Sequence, residues 1–245
     1  MTNALIVIPA RMQASRLPGK PLLEIAGEPM IVHVWRKAMA AEVGRVVVAT
    51  DAQEIVTAIR KAGGEAIMTR ADHVSGSDRV FEAVSKVDPE GDRDIVINLQ
   101  GDFPTINSAD IKKCMIPLAN KAVSIGTLAA EIHDADEKTA PSVVKVIGTP
   151  TPMPRVLRAL YFTRATAPTG DGPLYHHIGI YAYRRNSLER FVSLKASPLE
   201  MREKLEQLRA IEDGMRIDVA LVDSVPRGVD TPADLERARR ELAHP

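Results

Sequence analysis

The chain opens with an apolar run, Ala4-Leu5-Ile6-Val7-Ile8, with no polar residue interleaved. An unalternated run of this kind predicts a strand buried on both faces, as in a parallel sheet. The signature returns at residues 45–50 (RVVVAT) and 94–99 (DIVINL), with a shorter strand over 65–69. Between these strands the period changes. Met30, Ile31, Val34, Trp35 and Ala38 recur at helical spacing, and Pro29 fits the first helical turn, where its missing N–H is not needed. A second helix is expected over 52–62, capped by Asp51 and ended by Gly63-Gly64. A third carries Val80, Ala83, Val84 and Val87, and a cap at Asn107 or Ser108 starts a fourth that runs to about Asn120. Strand, helix and strand in alternation predict right-handed βαβ units and a parallel sheet.

Beyond Asn120 the pattern turns towards β. Strands are expected over 122–132, 142–147, 159–163, 177–183 and 217–222, with Lys145 interrupting an otherwise apolar run. Helices are expected over 186–194, 198–213 and 231–242. Residues 149–154 form a proline-rich turn too short for a domain linker, and 167–173 a Gly/Pro loop. With no internal repeat and no low-complexity tract, the expectation is one α/β domain over 1–245. Within it, about 120–185 forms a β-rich lobe.

Charge enters the picture at one place. Pro9 ends the first strand, and Arg11, Arg16 and Lys20 follow on the next loop. Three cations at the carboxyl end of a buried parallel strand suit a polyphosphate. The whole chain is neutral, with 32 Lys plus Arg against 32 Asp plus Glu. A general affinity for nucleic acid or membrane surface is therefore excluded, and any basic site must be local. The single cysteine, Cys114, allows no internal disulfide and suggests no thiolate metal site. The N-terminal apolar run is too short to span a membrane and lacks a basic leader and a small-residue cleavage site, so a soluble cytoplasmic protein is expected. Gly19-Lys20 is not a P-loop, because no glycine stands five residues before Gly19 and no Ser or Thr follows Lys20. No GxGxxG opens a helix. Nucleoside triphosphate hydrolysis and dinucleotide redox chemistry are both disfavoured.

Two aspartates are candidates to answer those cations. Asp102 follows the strand at 94–99, with Gly101 allowing close backbone approach; a turn aspartate satisfying nearby N–H groups is the plainer reading. Asp230 precedes a helix start that is complete without it: Thr231 can cap, Pro232 takes the first position and Asp234 completes a capping-box-like pair. Two carboxylates from separate loops suit Mg²⁺ when phosphates supply its other ligands. Arg164 ends a strand, and His177 opens one beside His176, where a lone histidine is usually structural. By pattern alone, Glu206 and Gln207 lie on the solvated face of a charged helix.

In order and at these separations, the segments IPARMQASRLPGKPL, VVVATD, MTRADHVSGSDR, NLQGDFP, ALYFTRA, HHIGIYAYR, SPLEMREKLEQLR and GVDTPADLE resemble the 3-deoxy-manno-octulosonate cytidylyltransferases, the CMP-Kdo synthetases. The resemblance covers essentially the whole chain. It implies a Rossmann-like nucleotidyltransferase fold with a mostly parallel central sheet flanked by helices, and a homodimer built through the β-rich lobe. It implies CTP and Kdo (3-deoxy-D-manno-octulosonate) as substrates, CMP-Kdo and pyrophosphate as products, Mg²⁺ as cofactor, and a place in lipopolysaccharide synthesis. It further implies that Arg11, Arg16 and Lys20 hold the triphosphate, that Ser75, Arg79 and Gln100 lie by the nucleotide, and that Asp102 and Asp230 bind the metal. Arg164, His177, Tyr181, Glu206 and Gln207 would then shape the sugar-acid pocket. Lys20, Arg16, Asp102 and Asp230 are the residues expected to carry catalysis. Alternatives are CMP transfer to a related acid sugar, such as 8-amino-Kdo or a sialic acid, and a non-catalytic nucleotide-binding protein of the same fold. Phe103 stands where many relatives have glutamate, and the loop 167–175 is short.

Overall fold

The computed structural model describes residues 3–13 and 17–243, so Arg16 lies outside the described residues. The chain forms two compact units, one of Met1–Lys112 with Pro226–Pro245 and one of Lys113–Val225.

In the first unit, strands β1 (Ala4–Ala10), β2 (Gly44–Thr50), β3 (Glu65–Met68) and β4 (Ile95–Asn98) pair in parallel in the order β3-β2-β1-β4. Residues Ala4 to Ile8 are all 0% exposed, as an unalternated run between two neighbouring strands requires. Helices α1 (Met30–Ala40), α2 (Gln53–Lys61) and α3 (Gly76–Val87) make the connections, and α4 (Ser108–Lys113) follows β4. The chain steps outward from β1 through β2 to β3, then returns to the far side of β1 for β4. That reversal makes the β1/β4 seam a topological switch point, where open α/β sheets take ligands at the strands' carboxyl ends. Leu99 N–H donates to the Val7 carbonyl at 3.1 Å and carries the pairing up to Gln100-Gly101-Asp102.

The second unit contains β5 (Ile125–Glu131), α5 (Ala135–Thr139), β6 (Lys145–Pro150), β7 (Val156–Thr163), β8 (Tyr175–Arg184), α6 (Arg185–Ser193), α7 (Pro198–Glu203), α8 (Leu208–Glu212) and β9 (Ile217–Val222). Only β5 and β9 run parallel; β8–β5, β9–β7, β6–β7 and β8–β6 are antiparallel. The expectation of a mostly parallel sheet is therefore corrected here to a mixed one. The turn between β6 and β7 is too short for a crossover, and a short turn makes a hairpin. The β-rich stretch expected at 120–185 falls within this unit. Lys145 is fully buried, and its ammonium reaches the Ala140 carbonyl at 2.7 Å. Its cross-strand partner is His176, whose imidazole lies 3.5 Å from the Glu137 carboxylate.

The last segment rejoins the first unit as α9 (Pro232–Ala243). Its Leu235 and Ala238 share a core with Ile25, Met30 and Val229, with Leu17, Leu23 and Leu242 packed against it. Arg239 Nε also donates to the Glu24 carbonyl at 2.9 Å.

Three expected boundaries move. The helix over 198–213 is two helices, because Lys204 adopts the left-handed conformation (φ 55°, ψ 47°) directly after Glu203. The helix expected to reach Asn120 stops at Lys113, and Pro117, which lacks an N–H, sits in a separate 3₁₀ turn. Asp51 does not cap α2, whose N-cap is Ala52 with no side-chain bond; its carboxylate instead accepts from Arg79 Nη2 at 2.9 Å.

The loop between β3 and α3 is fastened by one carboxylate. Glu82 accepts from the Arg70 N–H at 3.0 Å, pairs with Lys86 at 2.6 Å and takes a short bond from His73 Nε2. Burial alone would raise its pKa; Lys86, the Arg70 N–H and His73 overturn that and hold it at about 2, against an ordinary 4.5. A depressed carboxylate stabilises the fold above its unfolded pKa and stops doing so as pH falls through its folded one. The stability gap between wild type and Glu82→Gln should be about 3 kcal/mol above pH 5 and close as pH falls towards 2, read from urea unfolding at a series of pH values. At Gly44, φ is 154° and a Cβ would stand 1.9 Å from the Ala4 carbonyl oxygen. Gly44→Ala should therefore destabilise by about 2–3 kcal/mol in the same measurement.

Candidate active site

Gly19, in the left-handed conformation at φ 68°, turns the chain into a 3₁₀ turn over Lys20–Leu22, with Pro21 in its first turn. The Gly19 N–H donates to the Met12 carbonyl at 3.2 Å and closes the loop that leaves β1. Lys20 thereby projects into a cleft of about 320 Å³, which Arg11, Gln100, Asp102 and Asp230 also line. Its ammonium lies 2.9 Å from Asp102 Oδ2 and 3.0 Å from Asp230 Oδ1. The lysine side chain is 15% exposed, the aspartates 29% and 48%. Burial works against its charge, but the Asp102 and Asp230 carboxylates outweigh it and raise the Lys20 pKa above the ordinary lysine value. Lys20 is a fixed cation at neutral pH.

The two carboxylates converge because their loops are tied together. The Val229 N–H donates to the Asp102 carbonyl at 3.0 Å, so the segment leading to Asp230 runs against the one that ends β4. Phe103 lies against Gly228 in the same place, where a Cβ would stand 3.4 Å from the ring. Asp230 stays out of the helix cap. Thr231 Oγ1 accepts from the Asp234 N–H at 3.2 Å, and Asp234 Oδ2 accepts from the N–H groups of Thr231 and Asp230 at 2.9 and 3.2 Å. The cap is complete among its neighbours, which leaves the Asp230 side chain to meet Lys20.

A smaller cavity of about 130 Å³ is lined by Arg11, His73, Ser75, Arg79 and Gln100. It shares Pro9, Ala10, Arg11 and Gln100 with the larger cleft. Ser75 caps α3, accepting from the Asp78 N–H at 3.1 Å and donating to Asp78 Oδ2 at 2.9 Å. Arg79 is only 3% exposed, and its guanidinium is engaged with Thr69 Oγ1 at 2.6 Å and Asp51 at 2.9 Å. Gln100 donates to Asn98 Oδ1 at 3.2 Å. Sequence reasoning left His73 without a role. It sits on a polar loop with no period, and only the later Glu82 explains its orientation.

Arg164, His177, Tyr181, Glu206 and Gln207 all belong to the second unit. Arg164 Nε donates to the Glu203 carbonyl at 2.9 Å and Nη1 to the Pro141 carbonyl at 3.1 Å. His177 is 8% exposed, and its Nε2 lies 3.0 Å from Thr127 Oγ1. That hydroxyl donates to the Ile180 carbonyl at 2.7 Å, so the imidazole is the donor and Nε2 carries the hydrogen. Burial, reinforced by His176, pushes the His177 pKa down to about 3, so the ring is neutral at pH 7. Phe162 meets His177 edge-on at 4.8 Å, and Tyr181 follows at 5.5 Å. Desolvation and the nearby Glu206 raise the Tyr181 phenol well above its usual range. Gln207 is 5% exposed. Glu206 and Gln207 lie in the break between α7 and α8, not along a continuous solvated helix as their spacing had suggested.

The cytidylyltransferase family model matches residues 5–217. A 3-deoxy-manno-octulosonate cytidylyltransferase of Rhodopseudomonas palustris (strain BisB5) is 68% identical over 238 residues, 97% of each chain. That of Nitrobacter hamburgensis is 66% identical over 242 residues, 99% of this chain and 93% of the other. Among solved structures, a CMP:2-keto-3-deoxy-manno-octonic acid synthetase complexed with CTP superimposes with a TM-score of 0.90 at 44% identity, covering 98% of both chains. A cytidylyltransferase from Leptospira borgpetersenii, at 16% identity and a TM-score of 0.63, shares the fold. With the family model spanning most of its length and curated relatives at two-thirds identity from end to end, this chain belongs to the 3-deoxy-manno-octulosonate cytidylyltransferase family.

Proposed function

We infer that this protein transfers the CMP moiety of CTP to 3-deoxy-D-manno-octulosonate, releasing pyrophosphate. The observation that carries the reading is the Lys20 ammonium held between Asp102 and Asp230 at the carboxyl ends of β1 and β4. A fixed cation beside paired carboxylates suits a nucleoside triphosphate, and the high identity to named relatives supplies the nucleotide and the acid sugar.

In this reading Lys20 and Arg11, with Arg16 from the undescribed part of the loop, hold the triphosphate. Ser75, Arg79 and Gln100 surround the rest of the nucleotide in the smaller cavity. The anomeric oxygen of the sugar bonds to the α-phosphorus, the bond from that phosphorus to the β-phosphate's bridging oxygen breaks, and the hydroxyl proton passes to solvent. Charge accumulates on the departing pyrophosphate, and preplaced cations stabilise it without reorganising at that moment. Asp102 and Asp230 present hard oxygen donors at a point where a cation already sits, which suits Mg²⁺ when phosphates complete its shell. When bound, Mg²⁺ would supply Lewis-acid polarisation of the phosphates. Among the described residues no group of three or more His, Cys, Asp or Glu converges as a metal site, so protein ligands would come from these two carboxylates. Arg164 would take the acid sugar's carboxylate, with Tyr181, Glu206 and Gln207 as polar contacts. His177, neutral and buried, would shape the wall and take no part in proton transfer. A homodimer formed through the second unit belongs to the same reading, as does a cytoplasmic site of action. Among the described residues no helix is long and apolar enough to cross a membrane.

The test is pyrophosphate release. Wild type should release it with CTP and Kdo in Mg²⁺, and stop when the metal is chelated. It should discriminate against ATP, GTP and UTP, and a panel of acid sugars should rank Kdo first. Asp102→Asn should keep its circular dichroism spectrum and lose about 10- to 100-fold in kcat, the worth of one charge-assisted contact. Wild-type turnover in that variant would refute the role given to Asp102.

A further inference from the structure

Helix α7 ends on Glu203, and the left-handed Lys204 that follows turns the chain away. Left-handed backbone at a residue with a Cβ persists where its surroundings demand it. What the turn achieves is visible at Glu203. Its Oε2 accepts from the Arg164 N–H at 3.0 Å. Its Oε1 accepts from Thr163 Oγ1 at 2.8 Å and Tyr161 OH at 3.4 Å, and its own carbonyl accepts from Arg164 Nε at 2.9 Å. Burial of Glu203 opposes its charge, but the bonds from Arg164 N–H, Thr163 and Tyr161 prevail and hold its pKa below the ordinary value.

Arg164 is thus fixed at backbone and side chain, but by unequal partners. Its Nε and Nη1 both donate to main-chain carbonyls, which are neutral. Among the described residues its Nη2 has no hydrogen-bond partner, and no carboxylate lies within ion-pair distance of the guanidinium. A half-buried guanidinium whose Nε and Nη1 donate to main-chain carbonyls leaves its Nη2 edge for a planar anion. Fastening β7 to α7 would need only Thr163 and the backbone N–H; it would not need an arginine.

We propose that Glu203 is a positioning residue for the second substrate: it locks Arg164 so that the Nη2 edge is presented to the carboxylate of the acid sugar. The inference rests on the function proposed above, and the experiment separates the two. Steady-state kinetics on Glu203→Gln should give a KM for Kdo raised about tenfold or more, with kcat and the KM for CTP within about twofold of wild type. Glu203→Asp, which keeps the charge, should fall between the two. Thr163→Val removes one donor to Glu203 at nearly constant volume, and should raise the KM for Kdo severalfold with the same selectivity. It decides the matter if Glu203→Gln does not fold. Calorimetric titration of Kdo into each protein should follow the same order without requiring turnover. A KM for CTP that rises in step with that for Kdo, or Kdo binding unchanged by either substitution, overturns the positioning role. Absence of pyrophosphate release from wild type overturns the proposed reaction. If wild type then still binds Kdo more tightly than Glu203→Gln, the role of Glu203 stands on its own.

Discussion

The Lys20 ammonium is the constraint on which the first unit's cleft depends. Two partly buried carboxylates brought together would repel. One ammonium within hydrogen-bond distance of both offsets that repulsion. The result is a fixed pattern of charge in place before any ligand arrives. The same contact joins residues 210 positions apart, so it is also a tertiary clamp.

Packing explains how so distant a pair finds the lysine. The core of Ile25, Met30, Val229, Leu235 and Ala238 binds α9 to the segment just after Lys20. The Val229–Asp102 backbone bond then fixes the height of Asp230 beside the end of β4. Apolar burial thus brings the loops together, and directional bonds aim them. In the second unit the division of labour is similar. An aromatic row runs from Phe162 through His177 and Tyr181 to Tyr183 and Phe191, and Glu203 holds the Arg164 N–H.

Much of this was legible in the chain. Unalternated runs identified three of the four parallel strands, because a strand covered on both faces has no polar side. The completeness of the Thr231-Pro232-Asp234 helix start singled out Asp230 by subtraction. Long-range pairing was not legible. Asp51 has the residue type and place of a helix cap, yet the buried Arg79 takes it, since an unpaired buried guanidinium costs more than an uncapped helix. Helical periodicity runs through Lys204 without interruption, because the demand that breaks the helix comes from Thr163 and Arg164 on another element. His73 gave no signal for the same reason. The antiparallel character of the second unit was missed because strands buried by mixed neighbours look alike in a hydropathy pattern.

The first unit is assembled from both ends of the chain, with the whole second unit inserted between its two parts. Synthesis proceeds from the amino end, so β1 to β4 leave the ribosome long before the segment that carries Asp230. A nascent chain at that stage has Lys20 and Asp102 but only half of the acidic pair. The lysine's second carboxylate therefore arrives late in translation, and a chain cut short of it would hold Lys20 against Asp102 alone.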